Sequence, residues 1–439
     1  MSFLENCRRL VALDSTPGHG NRLAAEFLGG LCEQAGLTVE YQRESLAGVD
    51  QCNVLARPQV FLPERELLLQ THLDTRPAGH FSQWTKTQAN PFNASIYGDE
   101  LFGLGAADAK LDFLCKLEAV RPLVGKALRV PFVLVGTFGA QTGMAGAIKL
   151  IRRKKLSATH AIVSEPTNMR LANAGTGLAI VDIIIPFSEE EKAYRRDHDL
   201  MESTTSQSRM FGSGSSENAI MKMLEYLAHL PDGIAVMDLD GGTDHSTVPA
   251  HALLEIDTVA GFKDPVLPKI SKIHATVLSM EKELRLFQEE GFTPPYATMN
   301  LGMIRTSESE VRISGSCRLP PSVTDSVYEA WIKKLADAVQ SAGATFCVKD
   351  YRKGFTTNPM SGFVGLAQEI LLELGHNSSL HKLSMASEAN VFSRLGIECV
   401  VWGPGQSVGH SHGPNESIKI SDLKAATEFY RKMVERFCL

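Results

Sequence analysis

Four short polar motifs in this chain carry side chains suited to holding a metal ion. His72 stands in Thr71-His72-Leu73-Asp74-Thr75, just after the apolar Leu67-Leu68-Leu69. A neutral imidazole at a strand end can bind zinc, and a carboxylate two residues on, Asp74, can hold the other ring nitrogen and fix the tautomer. A surface histidine beside a turn is the plain alternative. Asp108 follows Gly103-Leu104-Gly105 and opens a helical pattern. A carboxylate there can bridge two cations, one on each oxygen, although aspartate also suits a helix N-cap. Glycines before a helix also suit a nucleotide loop, but the Lys-Ser/Thr ending of a phosphate loop is absent. Glu165 lies between apolar Ala161-Ile162-Val163 and Pro166, at a strand exit or on an exposed loop. His410 and His412 share a glycine-rich loop after Trp402-Gly403-Pro404-Gly405.

The surrounding patterns must bring these residues together. Residues 21–36 carry a helical apolar pattern, and strand-like runs follow at 53–56 and 66–71. Leu111 to Val124 reads as a helix, and 131–138 is a continuous apolar run. Such a run suits a strand buried on both faces. Alternating strands and helices predict a covered α/β sheet, and open α/β sheets place their sites at strand carboxyl ends. His72 and Glu165 both fall at such ends.

The middle of the chain differs. Strands are expected at 178–186, 311–317 and 345–348, with helices at 217–230 and 327–342. That order suggests a small ferredoxin-like unit, split by an insertion of roughly residues 233–296 with a helix over 269–290. The α/β pattern returns with a strand at 398–402 and a helix over 421–437. No internal repeat stands out. The predicted organisation is one α/β domain made of residues 1–176 and 357–439, interrupted by an α+β domain over 177–356.

With 439 residues the chain can bury a large core. Its net charge of −6 argues against general nucleic-acid or membrane-surface binding. The 8 cysteines are scattered, with no Cys-x-x-Cys pair, so zinc fingers and redox motifs are not expected. The N-terminus has no apolar signal stretch, and no apolar run reaches about 18 residues. The expectation is a cytoplasmic protein with reduced thiols.

Taken together, the motifs around His72, Asp108, Glu165 and His412-Gly413-Pro414-Asn415-Glu416 resemble the aminoacylase, acetylornithine deacetylase, succinyl-diaminopimelate desuccinylase and glutamate carboxypeptidase family of di-zinc metallopeptidases. The resemblance implies a zinc-exopeptidase-like catalytic domain with an inserted lid, which also serves dimerisation. It implies one zinc site from His72, Asp108 and Glu165, and another from Asp108, His412 and the residue at 141. His412 is selected over His410 by the His-x-Pro-Asn-Glu spacing, and a cis peptide bond is expected after Asp108. Arg318, at a strand end, matches an arginine that grips a substrate carboxylate, and a surface salt bridge is the equal alternative. The implied reaction is hydrolysis of an amide in an N-acyl amino acid or small peptide. A homodimer is one expected assembly, with neither nucleic acid nor membrane as partner.

Three departures cut against that chemistry. The family's Glu-Glu pair, a general base and then a zinc ligand, is Ala140-Gln141 here. Alanine cannot take a proton, a service typically worth about 10²–10⁴ in rate. Gln141 offers a carbonyl oxygen without the negative charge a hard dication prefers. The lid lacks the family's His-Ser-Ser-x-Pro loop and has Gly212-Ser213-Gly214-Ser215 before Asn218-Ala219-Ile220. The expectation is a protein with one Zn²⁺ site kept and the second weakened, whose hydrolysis is lost or severely impaired. Two alternatives stay open: a non-catalytic binding or scaffold protein on this fold, and an active single-metal hydrolase with an unrecognised base.

Overall fold

The computed structural model describes residues 2–58, 64–199, 207–212, 217–259, 261, 263–406, 411 and 413–439, without the side chains of 196–199. The chain divides into two compact units. One joins Met1–Gly175, Phe355–Leu383 and Ser387–Leu439; the other joins Thr176–Gly354 and Ser384–Ala386.

The first unit is built on a sheet of nine strands among the described residues. Eight follow the order Thr38–Leu46, Val49–Arg57, Phe132–Thr137, Glu66–His72, Ala158–Val163, Glu398–Val401, Ala172–Gly175, Phe355–Thr356, and His381–Leu383 pairs off this path with Ala172–Gly175. The central four, from Phe132–Thr137 to Glu398–Val401, are mutually parallel. Every residue of Phe132–Thr137 and of Glu66–His72 is buried, as strands covered on both faces must be. The one charged member, Glu66, meets the buried Arg57 at 2.9 Å, which keeps its charge paired. Helices Phe3–Ala12, Arg22–Gln34, Leu111–Val120, Gly362–Glu373 and Ile420–Cys438 supply apolar faces to one core cluster. The helix expected to run to Val124 stops at Val120, because Pro122 brings in a short 3₁₀ turn over Arg121–Leu123.

The second unit is an antiparallel sheet of seven described strands. Their order is Gln207–Gly212, His251–Thr258, Ile234–Gly241, Thr298–Thr306, Glu310–Leu319, Gly177–Pro186, Thr345–Arg352. The last four, with helices Ala219–Leu227 and Asp325–Ser341, form the ferredoxin-like part. Both helices begin where the sequence caps them. The side chain of Asn218 accepts from the Met221 amide at 3.0 Å, and that of Thr324 from the Val327 amide at 3.3 Å. This is the expected α/β class with an α+β unit interrupting it.

The insertion contributes more than the one helix expected. The hairpin Ile234–Gly241/His251–Thr258 is followed by helix Val266–Leu284, and the hairpin Thr298–Thr306/Glu310–Leu319 is followed by helix Asp325–Ser341. The same motif therefore occurs twice, although no repeat stands out in the sequence. The two hairpins join antiparallel through Asp240↔Arg305 and Gly241↔Ile304. Their approach is close enough that a Cβ at Gly242 would lie 1.8 Å from the Gly302 carbonyl oxygen.

Candidate metal centre

His72 is the last residue of Glu66–His72, and its neighbours along that strand sort onto two faces, since side chains alternate. On one face the Gln70 amide donates to Thr137 Oγ1 at 3.0 Å and to Glu388, and Thr137 Oγ1 also donates to Glu388. On the other, Thr71 Oγ1 and Ser164 Oγ lie 2.9 Å apart, and both receive the buried Lys116 ammonium. Lys116 pairs with Asp112 at 3.3 Å, and Asp112 accepts from the Tyr430 hydroxyl at 2.7 Å. Thr71 and Ser164 precede His72 and Glu165 directly, so this buried cluster holds both strand exits in place.

His72 Nε2 lies 2.9 Å from Asp108 Oδ1. Ligand atoms of His72, Asp108 and Glu165 all lie within 4.8 Å of one another, and all three residues are buried. An imidazole nitrogen and two carboxylate oxygens gathered in this way are the donor types that a zinc ion takes. Two close approaches fix the acids. Glu416 Oε1 accepts from the amides of Ala107 at 2.8 Å and Asp108 at 3.1 Å, and the Asp108–Ala109 peptide bond is cis. Gly403 passes so near Glu165 that a Cβ there would lie 2.6 Å from the Glu165 carbonyl oxygen.

Burial and the crowding of acids shift the titration of the cluster. Burial, and then the charge of Asp108, push the Glu165 carboxyl far above the usual carboxylate range. Burial opposes the charged form of His72, but the hydrogen bond and charge of Asp108 outweigh it and raise the imidazole well above its ordinary value. Burial raises Glu416 to about 7, with Asp108 adding to the effect.

Asp74 acts differently from expectation. Its carboxylate stays 3.8 Å from His72 Nδ1, beyond a good hydrogen bond, and the contact at 3.1 Å is made by its backbone carbonyl. The Asp74 side chain instead accepts from the amides of Ala140 at 3.1 Å and Gln141 at 2.9 Å. A carboxylate on this short segment finds two turn amides more accessible than a ring already served by the chain. It thereby pins the 3₁₀ turn Ala140–Thr142, which runs between Gly139 and Gly143, both at positive φ.

Gln141 hangs from that turn beside the cluster. Its Nε2 donates to Asp108 Oδ2 at 3.4 Å, and its Oε1 accepts from Arg76 Nε at 3.0 Å. Ala140 brings only a methyl group. His410 and His412 lie outside the described residues. Arg318 belongs to the second unit, where it is exposed and donates to the Ser384 carbonyl at 2.6 Å.

A family model described as peptidase family M20/M25/M40 matches residues 68–436. The chain belongs to that family. An acetylornithine deacetylase of Myxococcus xanthus is 24% identical over 441 residues, covering 98% of this chain and 96% of that protein. One from Yersinia pestis is 23% identical over 459 residues, covering 99% and 97%. Among solved structures, the M20 family metallo-carboxypeptidase Sso-CP2 of Sulfolobus solfataricus superposes with a TM-score of 0.65 at 20% identity, covering 99% of each chain. The Bacillus subtilis YXEP protein, a dinuclear metal-binding peptidase of the M20 family, does so at 0.52 and 10%, covering 98% of this chain and 96% of that one. The M20 chain is thus of the metallopeptidase and deacylase class. Within this M20 centre, Arg76, Glu388 and Lys116 escape motif reading because their partners lie far away along the chain. One signal is available: Gln70-Thr71, polar directly after Leu67-Leu68-Leu69 in a buried strand, marks a place where buried partners must exist.

Proposed function

We propose that this protein is a zinc-binding member of the amide hydrolase family that keeps one metal site and hydrolyses N-acyl amino acids or small peptides very slowly or not at all. The observation that carries this reading is the turn Ala140–Thr142. It is tied to Asp74 and reaches Asp108, yet presents a methyl group at 140 and a neutral amide at 141.

His72, Asp108 and Glu165 offer a dication one imidazole nitrogen and two buried carboxylates, with ligand atoms within 4.8 Å of one another. A dication bound there polarises an amide carbonyl and acidifies water. What this chain's own residues supply is positioning, through Glu416, Lys116 and the Asp74-pinned turn. What they lack is a titratable group at 140 to move a proton between water and the leaving amine. Position 141 brings no carboxylate either, so the second ion of the family is disfavoured.

The finer expectations belong to the same proposal: a ligand resembling an amino acid, gripped by Arg318 through its carboxylate; a catalytic domain over 1–176 and 357–439 with a lid over 177–356; a homodimer; and a cytoplasmic location. No helix among the described residues is long and apolar enough to cross a membrane.

The test is turnover on a panel of N-acetyl amino acids, N-acetylornithine and dipeptides with added zinc. The unmodified chain is expected to show little or none. Ala140→Glu with Gln141→Glu is expected to recover weak activity, and Ala140→Glu alone none. High turnover by the unmodified chain, abolished by a chelator, overturns the proposal. A ligand-induced rise in melting temperature without turnover favours the binding-protein alternative.

A further inference from the structure

We propose that the guanidinium of Arg76 serves as the second cation of this centre, so that the chain carries one metal ion and one arginine where its relatives' motif provides for two metals. This rests on the one-metal reading above and goes beyond it.

The argument starts from spacing. His72, Asp74 and Arg76 are alternate residues leaving one strand end. His72 goes to Asp108, Asp74 to the amides of Ala140 and Gln141, and Arg76 to the Gln141 side chain. Asp108 has its two oxygens divided. Oδ1 faces His72 at 2.9 Å, in the cluster with Glu165, and Oδ2 accepts from Gln141 Nε2 at 3.4 Å. Gln141 Oε1 accepts from Arg76 Nε at 3.0 Å. Carboxylate, amide and guanidinium therefore form a chain that leaves the cluster through the second oxygen of Asp108.

An amide suits this role and a carboxylate does not. The two ends of Gln141 have opposite hydrogen-bonding character, so it can donate to an acid and accept from a base at once. A glutamate at 141 could only accept, and would face Asp108 with like charge. An arginine beside it would draw it into a charge-assisted pair, since the planar guanidinium matches a carboxylate two bonds at a time. The guanidinium is always charged and needs no loading from solution. Through the Gln141 amide it brings one positive charge to the Asp108 side of the turn without a second dication close to the first. The residues at 76 and 141 thus make one device, and a carboxylate restored at 141 is only a weak metal ligand while Arg76 remains.

The test is metal stoichiometry on the full chain, stripped by chelator and titrated with Zn²⁺ and Co²⁺ by calorimetry, with the cobalt spectrum as a second readout. The unmodified chain tests the parent reading: one tight ion supports it, while none or two sinks that reading and this one with it. The present proposal is tested by the variants. Gln141→Glu alone is expected to hold one tight ion. Gln141→Glu with Arg76→Leu is expected to hold two, the second at least about 100-fold tighter than in Gln141→Glu alone. Gln141→Glu with Arg76→Lys, which keeps a cation, is expected to hold one. Circular dichroism verifies folding, and should the Leu variant fail to fold, Arg76→Gln takes its place. Two tight ions in Gln141→Glu alone, or one in both charge-removing double variants, overturns the role of Arg76.

Discussion

At the scale of residues, the centre is a set of buried acids held by donors of fixed position. Asp74 shows how little the type of a residue says about its target. Spacing points it at the ring of His72, and the amides of the turn at 140 and 141 claim it instead. Glu388 belongs to no motif at all. It is buried against Gln70 and Thr137, and burial raises its carboxyl from an ordinary 4.5 to about 7. A raised folded value means that the native state holds a proton the unfolded chain has released. The stability it contributes is full below about pH 4.5 and is lost as pH rises through 7. Each pH unit between those two values is worth about 1.4 kcal/mol, so the loss is at most about 3.5 kcal/mol. In urea unfolding of the metal-stripped protein, Glu388→Gln is therefore expected to flatten the decline between pH 5 and pH 8. An unchanged pH profile would show that Glu388 titrates normally.

At the scale of elements, the decisive object is the parallel strand Glu66–His72, with one polar cluster on each face of its carboxyl end. Its central position makes every polar side chain there buried, and each must be paired. Lys116, from helix Leu111–Val120, does this for Thr71, Ser164 and Asp112 together. Replacing one partner of a buried ion pair leaves an uncompensated charge, at a cost of about 3–5 kcal/mol. Lys116→Met is expected to lose that much in denaturant unfolding, and Lys116→Met with Asp112→Asn to lose less. Equal stability of Lys116→Met and the unmodified chain would show that the pair adds nothing net to stability. The strand itself was legible as an apolar run. The clusters were not, because their members are 45 and 48 residues apart along the chain.

At the scale of the whole molecule, the chain is two units, and the second contains one motif twice. Arg305 clasps the two hairpins. Its guanidinium donates to the carbonyls of Gly241 at 2.6 Å and Gly242 at 2.5 Å and lies 3.3 Å from Asp240. Arg305→Ala is expected to lower amide-exchange protection in Ile234–Gly241 by about tenfold, with strands Glu310–Leu319 and Gly177–Pro186 little changed, because local opening costs less than global unfolding. Unchanged protection would place the join in the packing of helices Ala219–Leu227 and Val266–Leu284.

The amino-acid sequence by itself determined the class of this protein. Apolar runs of strand length, alternating with helical patterns, predict a covered α/β sheet wherever they occur. The motifs at His72 and Glu165 sit where such a sheet ends its parallel strands. It also showed that position 140 has no base, which is a fact of residue type. The tertiary structure alone decided what the remaining polar residues do. Asp74, Arg76, Lys116 and Glu388 each carry a polar group whose target lies far away along the chain or belongs to a backbone turn. A hydrogen bond or ion pair is set by distance in space, and only the folded sheet brings Arg76 to Gln141, Lys116 to Ser164, or Glu388 to the strand that ends in His72. The twofold motif was hidden for the same reason: hairpins pair through backbone groups that every residue has, so two copies can share a shape with little shared sequence.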